Sequence, residues 1–281
     1  MTDPVIGVWD TPKSIFGYEV IEHLGEGAGS HIYAVSDPVS RQLYAIKYVP
    51  RQKEKDVRFI DQLEAEHTVS KNITHAGLRR TFDLKYEKTW LGKITSAALI
   101  MELVDGTPLE TKLPADPLVV LHIFQKTAEA LQALHQMDFV HCDLKPSNIL
   151  CASDGVKVID LGQAVKTGTV KERIQGTPDY IAPEQVKRHA VTFRTDVFNF
   201  GATLYWTLSA GKSLPTLFTL KKGDNSFLLD TAIPTPSQNN PAVPENFSNL
   251  VMECVRTNPA KRPADFGEVL RRMELIERSM H

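Results

Sequence analysis

The chain has 281 residues, enough to bury a substantial core as one large domain or two small lobes. Hydrophobic residues make up 42% and charged residues 23%, which is ordinary for a soluble globular protein. Thirty-two basic residues against 34 acidic ones give a formal charge of −2, which argues against nucleic acid or an anionic membrane as the main partner. The three cysteines, Cys142, Cys151 and Cys254, follow no zinc or redox spacing and point to a reduced, cytoplasmic compartment. Residues 1–13 lack a basic segment followed by an apolar run, so no secretory signal is expected. The longest apolar-rich stretch, residues 197–210, contains Asn199, Thr203 and Thr207 and is shorter than a bilayer span. It reads as a buried core helix, and no membrane segment is expected.

In chain order, residues 18–24, 31–36 and 43–49 are rich in β-branched and aromatic side chains and predict three successive strands. A glycine-rich turn, Leu24-Gly25-Glu26-Gly27-Ala28-Gly29-Ser30, is expected between the first two. Missing side chains let backbone N–H groups approach phosphate oxygens closely, although a plain hairpin turn has the same composition. A dinucleotide-binding turn fits poorly, because a strand follows instead of a helix. Tyr44-Ala45-Ile46-Lys47 ends the third strand on a lysine, and such a lysine is either a solvated edge charge or a group facing a ligand. Residues 56–72 predict a helix, and residues 81–86 and 97–103 two further strands.

The second half changes character. Asp116-Pro117 supplies an N-cap and a proline at the first helical position. Leu121, Phe124, Ala128, Leu131 and Leu134 then recur at spacings of three and four, so this helix buries one face. Directly after it comes His141-Cys142-Asp143-Leu144-Lys145-Pro146-Ser147-Asn148. Asp143 can accept or orient a hydroxyl proton, Lys145 can offset charge on a phosphoryl group, and Asn148 can offer an amide oxygen to a hard cation. A strand over residues 156–159 ends on Asp160, twelve residues after Asn148, so a short hairpin can bring both oxygens to one Mg2+. Residues 223–244, polar and proline-rich, predict a long surface segment, and Asp265 with Glu268 predicts a capping box on the last helix.

Together these motifs resemble the protein kinase signature. The glycine-rich loop matches at Gly25 and Gly27, with Ser30 where the third glycine usually sits. Val-Ala-Ile-Lys corresponds to residues 44–47, His-Arg-Asp to His141-Cys142-Asp143, Asp-Phe-Gly to Asp160-Leu161-Gly162, and Ala-Pro-Glu to Ala182-Pro183-Glu184. Asp196 resembles the aspartate that anchors the catalytic loop, and Arg262 the arginine that pairs with Glu184. The overall look is that of bacterial, eukaryotic-like Ser/Thr kinases.

The resemblance implies an α+β, bilobal domain over residues 15–280. Its N-lobe would span about 15–102, its hinge 102–105 and its C-lobe about 106–280, with the ligand cleft between the lobes. It implies a protein serine/threonine kinase using ATP and Mg2+, with Mn2+ as a substitute, and a protein substrate. Asp143 and Lys145 would be catalytic, and Asn148 and Asp160 would hold the metal. Lys47 would bind phosphates and pair with Glu66, with Glu64 the fallback. Gly25, Gly27 and Ser30 would cover the phosphates. Leu24, Ile32, Ala45 and Leu150 would enclose the base, with Met101 as gatekeeper and Glu102 and Val104 at the hinge. Lys145 and Thr177 resemble the Ser/Thr class, and Thr167 or Thr169 would be autophosphorylation sites.

Two departures stand out. Cys142 replaces the arginine that binds an activation-segment phosphate in many kinases, so activity is expected to depend little on that modification. Ser70, four residues after Glu66, stands where the family usually places an apolar residue. His135 and His141 are read as structural. Two other functions compete: a pseudokinase scaffold, opposed by the presence of Lys47, Asp143, Asn148 and Asp160, and a small-molecule kinase, opposed by the Gly-Thr-Pro to Ala-Pro-Glu segment.

Overall fold

In a computed structural model, residues 11–27, 29–215 and 233–280 are described. The chain divides into two compact units, one formed by the residues up to Lys71 with Arg80–Leu103, the other by Asn72–Arg79 with the chain from Val104 onward. The first is β-rich and the second mainly helical, in agreement with the α+β class implied by the sequence.

The first unit is built on an antiparallel sheet of order β1-β2-β3-β4-β6-β5. Its strands are β1 (Ser14–Ile15), β2 (Tyr18–Gly27), β3 (Ser30–Ser36), β4 (Leu43–Pro50), β5 (Thr81–Lys88) and β6 (Ile94–Met101). Side chains alternate between its faces. Ile15, Tyr33, Val35, Ile46, Ala98 and Ile100 form one apolar cluster, whereas Val49, Ala97 and Leu99 face the other way. That second face is covered by Ile60 and Leu63 of α1 (Val57–Ser70).

The β2–β3 hairpin differs from expectation. The ladder continues through Gly25, Glu26 and Gly27, paired with Ile32, His31 and Ser30, so the turn is tighter than the sequence predicts. A register shift between His23 and Gly25 makes a bulge at Leu24. Gly29, at φ +79°, closes the hairpin, and a Cβ there would lie 2.5 Å from the ring of Phe59 on α1. Only glycine satisfies both the left-handed backbone and that contact.

The second unit holds β7 (Gly106–Pro108), α2 (Pro117–Gln136), β8 (Phe139–Val140), β9 (Ile149–Ala152), β10 (Gly155–Val158) and β11 (Val165–Lys166). It continues with α3 (Pro183–Val186), α4 (Phe193–Leu208), α5 (Pro236–Asn239), α6 (Glu245–Cys254) and α7 (Phe266–Ser279). The Asp116 side chain accepts a hydrogen bond from Leu118 N at 2.8 Å, as its N-cap position predicts. Leu121, Phe124, Leu131 and Leu134 of α2 are all fully buried. Each such side chain contributes about 1.5–3 kcal/mol through the hydrophobic effect. The apolar stretch from Val197 belongs to α4, which is buried along nearly its whole length. Gly201 lets α4 approach α6 closely, since a Cβ there would sit 2.5 Å from that of Cys254.

Two further details correct the sequence reading. Asp265 caps α7 by accepting from Glu268 N, but the Glu268 carboxylate returns to Ala264 N, one residue before the expected box. Of the predicted surface segment 223–244, residues 223–232 lie outside the described residues. The described part instead forms α5 and buries Pro236 and Val243, because apolar prolines and valine find the flank of α4 and α6.

Candidate functional site

Each unit carries a set of candidate residues. In the first, antiparallel register fixes which side chains share a face. Ile32 opposes Lys47, Lys47 opposes Leu99, and Ala45 opposes Met101. Ile32, Ala45, Lys47 and Met101 therefore lie on the sheet face covered by α1. Lys47 Nζ donates to Glu66 Oε2 at 2.8 Å, and the Glu66 side chain is only 3% exposed. Glu64, two positions earlier and on the opposite side of α1, accepts from the Tyr86 hydroxyl instead. Leu24 is exposed at the bulge, and Ser30 is buried at the start of β3. Glu102 follows β6; its N–H donates to Arg80 O at 3.0 Å and its carboxylate accepts from Arg80 N at 3.2 Å.

Ser70 has a physical explanation here. Its hydroxyl donates to the Glu66 carbonyl one turn back and meets Thr81 Oγ1 at 2.7 Å, and Thr81 Oγ1 also lies 3.1 Å from His67 Nδ1. A small polar network thus fixes α1 to β5 at the position where the family usually places an apolar residue. Burial lowers the pKa of His67, which favours its neutral ring.

In the second unit, Asp143 follows β8 in a loop of unusual shape. Cys142 adopts φ +66°, a left-handed conformation that is uncommon for a residue with a side chain. The fully buried Asp196 of α4 holds it there. Asp196 accepts hydrogen bonds from His141 N at 2.7 Å, Cys142 N at 2.8 Å and His135 Nε2 at 2.9 Å. Burial alone would raise the Asp196 carboxyl, but these donors outweigh it and hold its pKa below the usual carboxylate value. His135 and His141 are thus engaged structurally, the latter also lying 3.3 Å from Ile159 O.

Asp143 Oδ1 accepts from both the N–H and the hydroxyl of Thr177, each at 2.8 Å. Lys145 Nζ lies 3.4 Å from Asp143 Oδ2 and 3.1 Å from Thr177 Oγ1. Asn148 donates through its side-chain amide nitrogen to Asp143 O at 2.9 Å, and its backbone carbonyl accepts from Ile159 N at 2.9 Å. The β9–β10 hairpin thereby sets Asn148 beside the residue that precedes Asp160. Asp160 itself sits at φ +64°. The donor set of a carboxylate and an amide oxygen suits a hard cation such as Mg2+. Leu150, in β9, is 8% exposed, and Val104 opens the second unit.

Behind the loop lies an apolar cluster of Val140, Cys142 and Val191, with Val165 and Phe193 packed on it. Burial pushes the Cys142 thiol far above its ordinary pKa, so it packs as a small apolar group. Glu184 and Arg262 form a buried bidentate pair at 2.7 and 2.9 Å. Thr195 adds a third bond to Glu184, and Phe198 lies 4.8 Å beneath the guanidinium.

Gln185 carries a structural role that the sequence did not reveal. Its amide nitrogen donates to Cys142 O and Gln175 O, and its oxygen accepts from Ala182 N and Asn199 Nδ2. It ties the loop around Asp143 to the segment before α3. Its one legible signal is adjacency to Glu184.

Known proteins are similar to this chain in sequence. The profile described as protein kinase domain matches residues 18–273. A probable serine/threonine-protein kinase of Clostridium acetobutylicum is 26% identical over 267 residues, covering 90% of this chain and 39% of that protein. The serine/threonine-protein kinases PknA of Corynebacterium glutamicum are similar at 28% identity over 261 residues, 88% of this chain and 53% of the relative. The serine/threonine-protein kinase PknA of Mycobacterium tuberculosis is 30% identical over 247 residues, 85% of this chain and 55% of the relative. The chain thus spans about half the length, or less, of these relatives.

Proposed function

Because the chain belongs to the protein kinase family, we propose that it transfers the γ-phosphate of ATP to serine and threonine hydroxyls of protein substrates, with Asp143 as the catalytic base. The observation that supports this most is the set of contacts at Asp143. A threonine hydroxyl already donates to its Oδ1 at 2.8 Å, and Lys145 bridges the two. A carboxylate held this way can take a second hydroxyl, the acceptor's, in a fixed direction. Relatives named serine/threonine-protein kinases support the same class of acceptor.

Each residue's work follows from charge. Asp143 aims the acceptor hydroxyl and receives its proton. Lys145 offsets negative charge on the phosphoryl group. Lys47, held by Glu66, neutralises the α- and β-phosphates, and Gly25, Gly27 and Ser30 let backbone N–H groups approach the phosphates. By the family resemblance, Leu24, Ile32 and Ala45 of the first unit and Leu150 of the second would contact the adenine, as would Met101, Glu102 and Val104. Asn148 and Asp160 would hold Mg2+, or Mn2+ as a substitute, and the ion when bound would supply charge neutralisation of the phosphate oxygens. The kinase domain is taken as residues 15–280, with Thr167 or Thr169 as self-modification sites. No helix among the described residues is long and apolar enough to cross a membrane. Three unpaired cysteines favour a cytoplasmic location.

The test is timed transfer of labelled phosphate from ATP to generic Ser/Thr peptides, with the intact chain and with Asp143→Asn. Transfer should fall by about 10²–10⁴-fold while nucleotide binding persists. Equal signals from both would overturn the reading and favour a scaffold.

A further inference from the structure

The β2–β3 hairpin carries a second constellation, on the face opposite Lys47. Lys47 opposes Ile32, whereas His31 opposes Tyr48 and Tyr33 opposes Ile46, one step out of phase. His23 opposes Tyr33, and Glu26 opposes His31. All three of His23, Glu26 and His31 therefore project from the same face. In a regular strand His23 and Glu26, three residues apart, would point to opposite sides. The bulge at Leu24 inserts the extra residue that brings them back into phase.

The ligating atoms of these three side chains all lie within 4.8 Å of one another. His31 Nδ1 is 3.6 Å from Glu26 Oε1, and the two imidazole centroids are 5.9 Å apart. The His23 ring packs at 5.0 Å on Tyr33, which supplies an apolar wall on one side. Nitrogen and oxygen ligands at about 2.0–2.2 Å from a tetrahedral ion are separated by about 3.3–3.6 Å. One edge of the triangle already has that length, and the others are no longer than 4.8 Å.

We propose that His23, Glu26 and His31 form a binding site for Zn2+ or a similar borderline divalent ion on the back of the glycine-rich hairpin. Two imidazoles and one carboxylate select ions of this kind over Mg2+, which prefers an octahedron of oxygens. The site is chemically distinct from the oxygen donors Asn148 and Asp160. Three protein ligands leave a fourth position for water. Because the ligands come from both strands, a bound ion cross-links the hairpin just below its turn.

The experiment is equilibrium dialysis and calorimetry of the intact chain with Zn2+ alone, without nucleotide or Mg2+. It is repeated for His23→Gln, His31→Gln and Asp160→Asn, with circular dichroism to verify folding. One equivalent should bind to the unaltered chain and to Asp160→Asn. Affinity should fall by about tenfold or more in either histidine variant, at least matching the loss known for weaker outer-shell changes. Amide exchange across residues 24–31 should slow when Zn2+ is added. The exposed His23 can be replaced without disturbing the core, so its variant decides the matter if His31→Gln does not fold. Absence of binding at micromolar Zn2+, loss of binding in Asp160→Asn, or affinity unchanged in the histidine variants would overturn the assignment.

Discussion

Asp196→Asn tests whether one buried carboxylate holds the loop around Asp143 in its strained form. Asp196 accepts three hydrogen bonds, two from the backbone of His141 and Cys142 and one from His135. An amide of the same size retains one oxygen and turns an NH2 group toward the remaining donors. At least one buried N–H then lacks an acceptor, which costs about 1–3 kcal/mol, and the surviving bonds lose their charge assistance, worth about a further 1 kcal/mol. The expected loss is therefore about 2–4 kcal/mol. Cys142, at φ +66°, is free to relax once its N–H is released, and Asp143 moves with it. Transfer should fall even where the variant is fully folded. Urea unfolding followed by circular dichroism, paired with peptide phosphorylation at low denaturant, reads both effects. The dependence on pH has a definite sign. The carboxyl is held low in the folded state, so its contribution is complete above the unfolded value of about 3.9 and is lost as pH falls through the lower folded value. The gap between the two proteins should stay constant from about pH 7 to 5 and narrow below about pH 4. A loss under about 0.5 kcal/mol with unchanged transfer would refute this account.

Arg262→Ala leaves Glu184 buried with Thr195 as its remaining side-chain donor, and should cost about 3–5 kcal/mol in urea unfolding. A cost below about 1 kcal/mol would mean that water reaches the pair. Thiol titration of the native chain should find at most one fast-reacting group, Cys151. Cys142 and Cys254 are fully buried, and burial pushes the Cys254 thiol up to about 12. All three should react after unfolding, and two fast thiols in the native state would contradict the packing. Phosphatase treatment should leave most of the transfer activity intact. Cys142 lies among valines and a phenylalanine and offers no charge to a phosphate. Loss of most activity would show that another cation serves that purpose.

What could be read from the sequence was chiefly what is local. The helix N-cap at Asp116, the buried stripe of α2 and the Asp143-to-Asn148 loop each lie within a few turns of chain, where periodicity and capping chemistry act directly. Contacts between distant segments were harder to see. Ser70 stood out as a departure because Thr81, its partner, is eleven residues away on strand β5. Gln185 showed nothing of its reach to Cys142, because a buried amide has no pattern of its own. The bulge at Leu24 was hidden as well, since alternation cannot show an inserted residue until the partner strand is in place.

Gly29 has a mechanical consequence. Its backbone rests on Phe59, and Phe59 lies seven residues before Glu66 on α1, two helical turns along the same side. One rigid rod therefore props up the hairpin tip at one end and grips Lys47 at the other. Withdrawing that rod from the sheet releases both at once, so hairpin tip and lysine share a single degree of freedom.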